Sequence, residues 1–241
     1  MGFFTTPVTN YDFLPDEYTE LFQRDKAELL SNVVVTADNV QKLIKQVADD
    51  PAASQVLLDK IQESLADNPD QPALKDAAVQ LAVNATGISS TLLSTALGLG
   101  DTLADVNEED LIGDLIGGLD FARYTGVSKS FAAIFTISKD PSEYTDGEGT
   151  VDYVKKLGLG SVTTGDLAAA AIVLFFAEAN TWGIVDDFNV DRLTGLDTGS
   201  DSARLFLDFA HAAVQKNDAD GSGDILAAFL KTALNKLESK E

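Results

Sequence analysis

Oxygen-bearing side chains recur at every second position near the C-terminal end of the sequence. Asp218, Asp220 and Ser222 alternate with small residues and are followed by Gly223 and Asp224. In a tightly turned loop, alternate side chains point inward, and a hard cation such as Ca²⁺ takes about six to eight oxygen ligands. The spacing therefore predicts a metal site that uses the side chains of Asp218, Asp220 and Ser222 and the backbone carbonyl of Asp224.

These residues resemble the calcium loop of the EF-hand family over residues 218–229. Loop positions 1, 3, 5, 6 and 8 of that family correspond here to Asp218, Asp220, Ser222, Gly223 and Ile225. The resemblance implies a helix–loop–helix unit that binds Ca²⁺. The sequence departs from the family at position 12, where Phe229 replaces a bidentate Glu, and at position 9, where Leu226 stands. Because few protein oxygens remain, we expect an affinity on the order of 10⁻⁴ to 10⁻³ M.

A second interpretation of this segment needs no metal. Asp, Ser and Gly are common in polar turns, and Asp224 is well placed to cap the helix that follows. The apolar spacing after the turn predicts that Phe229 is a core residue. The sequence leaves the cation site and the plain polar turn as alternatives. Two upstream acidic segments, residues 144–155 and 187–198, match the loop less closely, and we interpret both as polar turns.

Few side chains in this sequence could carry conventional catalysis. There is no cysteine, which excludes thiol nucleophiles, thiolate metal sites and disulfides. His211 is the only histidine, and its helical surroundings supply no evident nucleophile, so we interpret it as structural. We therefore expect no enzymatic activity. The remaining enzymatic alternative is a carboxylate-dependent hydrolase, because two acids about 5 to 9 Å apart suffice for glycoside hydrolysis.

The charge of the chain restricts its partners. It has 39 acidic and 17 basic residues and a net charge of -22. This charge repels phosphates, so we expect no nucleic-acid binding. No apolar run approaches the roughly 18 residues of a membrane span, so we expect no transmembrane segment. Peripheral membrane association stays open.

One apolar segment predicts the centre of the fold. Residues 166–180 are apolar on all faces, and Thr163 or Thr164 could cap the helix that they form. Apolar residues at helical spacing predict further helices in the ranges 16–32, 38–47, 51–65, 72–99, 111–119, 202–216 and 225–239. The predicted fold class is all-α, a multi-helix array around the central helix. It leaves room for one small β-hairpin, because residues 33–35 and 134–137 also fit a strand.

The N-terminal residues 1–15 have a pattern of their own. Their aromatic rings and two prolines predict an extended aromatic arm, which docks on the body of the protein or contacts a partner. Residues 16–241 are predicted to form a single helical domain. The loop at residues 140–150, which contains proline and glycine, is a candidate boundary within that domain.

Together these features predict a non-catalytic interaction or structural protein with a weak EF-hand-like calcium site. The alternative is an apolar-ligand or lipid-binding, membrane-associated helical protein of the lipoprotein kind, suggested by glycine-spaced amphipathic helices in residues 87–119 and by the aromatic arm. Its partner would be another protein or an apolar small molecule. A weak calcium site fills only where calcium is millimolar, so we expect an extracytoplasmic location, periplasmic or cell-surface, with the leader absent from this chain. A cytoplasmic location is the alternative.

Overall fold

The structure is a computed structural model that describes residues 26–30, 33–87, 121–136, 151–181 and 200–238. Within these ranges the chain forms helices and no strand. The helices are α1 (Lys26–Leu30), α2 (Val40–Val47), α3 (Pro51–Asp67), α4 (Pro72–Thr86), α5 (Phe121–Ile134), α6 (Tyr153–Lys156), α7 (Thr164–Thr181), α8 (Asp201–Asp220) and α9 (Ile225–Glu238). The prediction of an all-α, multi-helix array is confirmed.

α7 is the apolar helix that the sequence predicts at residues 166–180, and it lies among the other helices. It packs against α4, α5, α8 and α9, and every side chain from Leu167 to Glu178 is buried. A helix that is apolar on every face must be covered on every face, and the four neighbouring helices supply that cover. Within residues 164–178 of α7, whose burial the structure describes, only Gly165 and Asp166 in the first turn are partly exposed.

Side-chain oxygens cap the N-terminal ends of five of these helices. The capping residues are Asp50 for α3, Asp152 for α6, Thr163 for α7, Ser200 for α8 and Asp224 for α9. At α7 the Thr163 hydroxyl oxygen accepts the Asp166 backbone N–H at 3.1 Å and donates its own hydrogen to the Asp166 carboxylate at 2.8 Å. This reciprocal pair makes Thr163, of the two threonines that the sequence offers, the capping residue.

A buried carboxylate holds the segment that leads into α7. Asp76 of α4 is 4% exposed, although acidic side chains are rarely buried so deeply without partners. Its oxygens accept hydrogen bonds from the backbone N–H groups of Gly160 at 2.9 Å and Ser161 at 2.8 Å, and from the Ser161 hydroxyl at 2.9 Å. Charge-assisted bonds of this kind are strong. They fix residues 160–163, and with them the start of α7, against α4.

Several predicted features lie outside the described residues. These are the aromatic arm at residues 1–15, the predicted helices between residues 88 and 119, the candidate boundary at 140–150 and the acidic segment at 187–198. Within the described ranges, no helix combines the length and the apolar character that crossing a bilayer requires. This finding agrees with the expected lack of a transmembrane segment.

Candidate functional site at the turn between α8 and α9

The predicted metal-binding segment forms the end of α8 and a short turn. α8 continues through Asp218 and Asp220, one turn beyond the helix predicted from the sequence, and Gly221 ends it with a left-handed φ of 60°. The Gly221 N–H donates to the Asn217 carbonyl at 2.9 Å. On an α-helix, side chains two residues apart do not face each other. Asp218 and Asp220 therefore point in different directions, whereas an EF-hand-like loop would turn both toward one ion.

Two lysines neutralise these two aspartates. The Lys231 ammonium of α9 contacts both carboxylate oxygens of Asp218, at 2.7 and 3.0 Å. The Lys216 ammonium lies 3.2 Å from Asp220, one helical turn away. Both pairs are substantially exposed to solvent, so each contributes at most about 1 kcal/mol to stability. They nevertheless place protein cations at two of the four positions where the sequence predicts a metal ligand.

Asn217 organises the turn from within. Its side-chain oxygen accepts the Ser222 hydroxyl and the Asp224 backbone N–H, each at 2.9 Å. Asp224 in turn accepts the Ala227 N–H at 3.0 Å through its Oδ1 atom and so caps α9. The capping role proposed for Asp224 is confirmed. The role of Asn217 is not evident from the sequence, because only the folded turn brings its amide to residues five and seven positions ahead.

A cavity of about 520 Å³, called here the turn cavity, lies between this turn and the start of α7. Its lining includes Lys216, Asp220, Ser222 and Asp224 on the turn side and Ser161, Thr163, Thr164 and Gly165 on the α7 side. Three of the four predicted metal-binding residues therefore face one space, and Asp218 does not line it. Among the residues that the structure describes, no group of three or more Asp, Glu or His side chains is arranged to hold a metal ion.

Asp224 brings a negative charge close to the first turn of α7. Its Oδ2 atom lies 3.1 Å from the point that a Cβ atom on Gly165 would occupy. The absence of a side chain at Gly165 is what permits this approach. A carboxylate near a helix N-terminus is stabilised by the partial positive charge there. Because Oδ1 is used to cap α9, Oδ2 is the atom of Asp224 that remains for a ligand.

Thr164 also lines the turn cavity. The residue as a whole is 5% exposed, but its hydroxyl oxygen is not sealed from solvent. Nothing in the sequence distinguishes this hydroxyl from that of Thr163, which is occupied by capping α7.

A second cavity of about 590 Å³ lies beside the first, between α7 and the ends of α2, α3 and α4. It is lined by the carboxylates Asp49, Asp166 and Asp224, the amides Gln80 and Asn84, and the apolar residues Pro51, Val83, Ala169 and Leu226, among others. The two cavities share Thr163, Gly165 and Asp224 as lining residues, so they adjoin at the start of α7. Together they are called the acidic groove below.

His211 belongs to a separate cluster on α8. Its ring stacks on Tyr153 of α6, with centroids 4.9 Å apart and an interplanar angle of 16°. Lys156 lies 3.5 Å from the fully buried Asp208, one helical turn before His211. Burial, with a smaller contribution from the Lys156 charge, lowers the pKa of His211 from 6.5 to about 4. The imidazole is therefore neutral at pH 7 and is stacked between α6 and α8, in keeping with a structural role.

Comparison with known proteins adds no relative. No protein-family model, no curated protein and no solved structure matches this chain. The function must therefore be argued from the chemistry of the groove and the turn.

Proposed function

We propose that this protein is a non-catalytic interaction protein with a weak Ca²⁺ site at the turn between α8 and α9. The observation that supports the site is that Asp220, Ser222 and Asp224 line one cavity. Their carboxylate and hydroxyl oxygens are ligands that Ca²⁺ accepts, and Ca²⁺ tolerates irregular geometry with water in the remaining positions. The proposed site differs from the EF-hand-like one in its ligands. It does not include Asp218, because Asp218 pairs with Lys231 outside the cavity.

The charges around the turn keep the proposed affinity low. Among the residues that the structure describes, two carboxylates, those of Asp220 and Asp224, face the turn cavity, and the Lys216 ammonium competes with the ion for Asp220. A dissociation constant of about 1 mM is therefore expected, which corresponds to the weakest class of protein calcium sites. Such a site fills outside the cytoplasm, and this is the reason for proposing an extracytoplasmic location.

Calcium binding should raise the stability of the protein by a calculable amount. At 10 mM Ca²⁺ and a dissociation constant of about 1 mM, binding to the folded state alone stabilises it by about 1.4 kcal/mol. For a chain of this length the melting temperature should rise by about 3 to 5 °C. The same concentration of Mg²⁺ is the control for general screening of the negative charge, because Mg²⁺ demands a stricter octahedral site.

Two matched substitutions test where the ion binds. Asp224→Asn removes a charge from the cavity and keeps the helix cap, because Asn caps as well as Asp does. Asp218→Asn removes the same charge outside the cavity. We expect Asp224→Asn to abolish the calcium-dependent rise in melting temperature and Asp218→Asn to preserve it. If Asp218→Asn abolished the rise in melting temperature and Asp224→Asn preserved it, the ion would bind in the EF-hand-like arrangement instead. If the melting temperature of the unmodified protein did not rise at millimolar calcium, the site would be rejected.

The proposal of a non-catalytic protein is supported by the position of His211, which does not line the groove, whereas the carboxylates of the groove leave the carboxylate-dependent hydrolase as the enzymatic alternative. Within the described residues the lining of the groove holds carboxylates, amides, hydroxyls and one lysine, but not His211, the only imidazole in the chain. The apolar-ligand or lipid-binding alternative depends on residues 1–15 and 88–119, which lie outside the described ranges. It stays a prediction, and lipid that copurifies with the intact protein would support it.

A further inference from the structure

α6 and the residues on either side of it cross α8 as a strap, defined here as residues 151–159. α6 has four residues, whereas an isolated helix needs roughly 12 to 15 to be even marginally stable. Among the described helices, α6 packs chiefly against α8. The strap ends where Asp76 of α4 holds the backbone of Gly160 and Ser161. The position of the strap before that point therefore depends on what α8 offers it.

Polar side chains on one face of α8 hold the strap. Asp208, His211 and Gln215 follow one another at intervals of three and four residues, at which helical side chains are neighbours. The Gln215 side chain accepts the Tyr153 N–H at 3.1 Å and donates to the Val151 carbonyl at 2.6 Å. It thereby clasps the backbone of the strap just before α6 begins.

The other two side chains of this face hold α6 itself. The Tyr153 ring, which is buried, stacks on His211, and the Lys156 ammonium lies 3.5 Å from the fully buried Asp208. Lys156 also lies 5.5 Å from the centroid of the Tyr153 ring. In this closed arrangement, burial and, to a smaller extent, the Lys156 charge lower the pKa of His211 to about 4.

Opening of the strap would remove these obstacles to a proton on His211. Tyr153, whose ring covers the imidazole, and Lys156, whose charge repels the proton, both belong to the strap. When the strap lifts from α8, the imidazole meets solvent and the Lys156 charge moves away. The open arrangement therefore binds a proton on His211 more tightly than the closed one does. By linkage, a fall in pH shifts the equilibrium toward the open arrangement.

Other charged groups near α8 have different surroundings. Glu178 of α7 binds the hydroxyls of Ser200 and Ser202 at the start of α8, and Lys231 of α9 binds Asp218 near its end. The remaining titratable side chains that the structure describes on α5, α7 and α9 are Arg123, Tyr124, Lys129 and Asp166. On the strap, Asp152 and Lys155 are exposed to solvent, and both are present in every variant compared below.

We propose that the strap is an acid-operated latch, in which protonation of His211 lifts residues 151–159 from α8 while the longer helices stay folded. Opening uncovers the buried side chains of Tyr153, Leu157 and Leu159, together with the core surface beneath them. Exposed apolar surface of this kind is what protein partners bind. The latch would thus let acid reveal an interaction surface. This inference does not depend on the proposed calcium site.

The experiment is amide hydrogen exchange of the full chain, followed by NMR at pH 7 and pH 4.5 and corrected for the intrinsic exchange rates. The reporters are the N–H groups of Lys156, Leu157 and Leu159, which donate to carbonyls within the strap. The amides at the centre of α7 report global unfolding. We expect the strap amides to be less protected than those of α7 at both pH values. The opening constant of the strap should rise about 50-fold at pH 4.5, as pKa values of about 4 when closed and 6.5 when open predict.

Substitutions of His211 test whether its charge operates the latch. His211→Gln removes the titrating group, so the strap should open less than about threefold more at pH 4.5 than at pH 7. His211→Lys carries a permanent charge and should open the strap at pH 7, whereas His211→Met, of similar length and uncharged, should open it at least about tenfold less. Gln215→Ala is the control for a general loosening. It removes the clasp, so it should raise opening about tenfold at both pH values and keep the 50-fold dependence on pH.

Three results would overturn the proposal. Equal protection of the strap and of α7 at both pH values would show that the strap opens only when the whole protein unfolds. An undiminished dependence on pH in His211→Gln would assign the effect to another group. Equal opening in His211→Lys and His211→Met would show that shape, and not charge, releases the strap.

Discussion

Acidification should destabilise this protein through its one histidine, His211. Burial, with a smaller effect of the Lys156 charge, lowers the pKa of His211 from 6.5 to about 4 in the folded protein. The ring stacks on Tyr153 and lies one helical turn from Asp208, which pairs with Lys156. A proton on His211 would therefore place a second positive charge in a partly buried cluster that already holds Lys156.

The sign and size of the effect follow from the two pKa values. The folded-state pKa lies below the unfolded-state value, so between pH 6.5 and about 4 the unfolded chain binds more protons on this residue. The stability that the neutral imidazole contributes is fully present above pH 6.5 and is lost as the pH falls toward 4. At about 1.4 kcal/mol per pKa unit, the full loss is about 3 kcal/mol.

The assay takes advantage of the composition of the chain. Because the sequence contains a single histidine, its ring protons give one titrating set of NMR signals that needs no assignment. We expect a midpoint near pH 4 in the folded protein and near 6.5 in about 8 M urea. In parallel, the free energy of unfolding is measured for the unmodified protein and for His211→Gln between pH 7.5 and 4.5. The carboxylates titrate in both proteins, so their contribution cancels when one free energy is subtracted from the other.

The difference between the two proteins should change by about 2 to 3 kcal/mol in favour of His211→Gln as the pH falls. A folded-state midpoint at or above 6.5, or a difference that does not depend on pH, would refute the reasoning. The control is Lys156→Gln. Because burial is the larger cause, this substitution should raise the midpoint of His211 only part of the way toward 6.5.

Two further predictions concern the segment that positions α7. Asp76→Asn should lower the free energy of unfolding by about 2 to 4 kcal/mol, since an amide group would face the N–H donors of Ser161 and its neighbour, and urea unfolding measures the loss. Gly158→Ala should cost more than Gly221→Ala. Both glycines have positive φ values, 68° and 60°, but a Cβ on Gly158 would lie 2.8 Å from Lys75 Nζ, whereas nothing lies within 4 Å of one on Gly221. The expected losses are about 2 and about 1 kcal/mol, and equal losses would show that Lys75 moves aside freely.

Local signals in the sequence were sufficient for much of the fold. Pro51 at the first position of α3 and the Thr163 cap of α7 act within one helical turn, so their effects can be read directly from neighbouring residues. Phe229 packs against the core, as its helical spacing predicts. The end of α8 could not be predicted in the same way. The helix continues through Asp220 instead of ending at residue 216, and the Asn217 contacts and the ion pair between Asp218 and Lys231 at this end are not visible in the spacing of the sequence.

The sequence by itself determined the helical class, the central apolar helix and the acidic character of the chain, because periodicity, capping and charge are properties of short segments or of composition. Only the tertiary structure decided which partners the side-chain oxygens contact. Asp218 pairs with a lysine 13 residues away, and Asp76 binds backbone groups 84 and 85 residues away. It also placed Thr164 and Asp224 on one cavity. Contacts between residues so far apart in the sequence depend on how whole helices pack. A small rotation of α7 or α8 would change the contacts in the groove while leaving each helix intact.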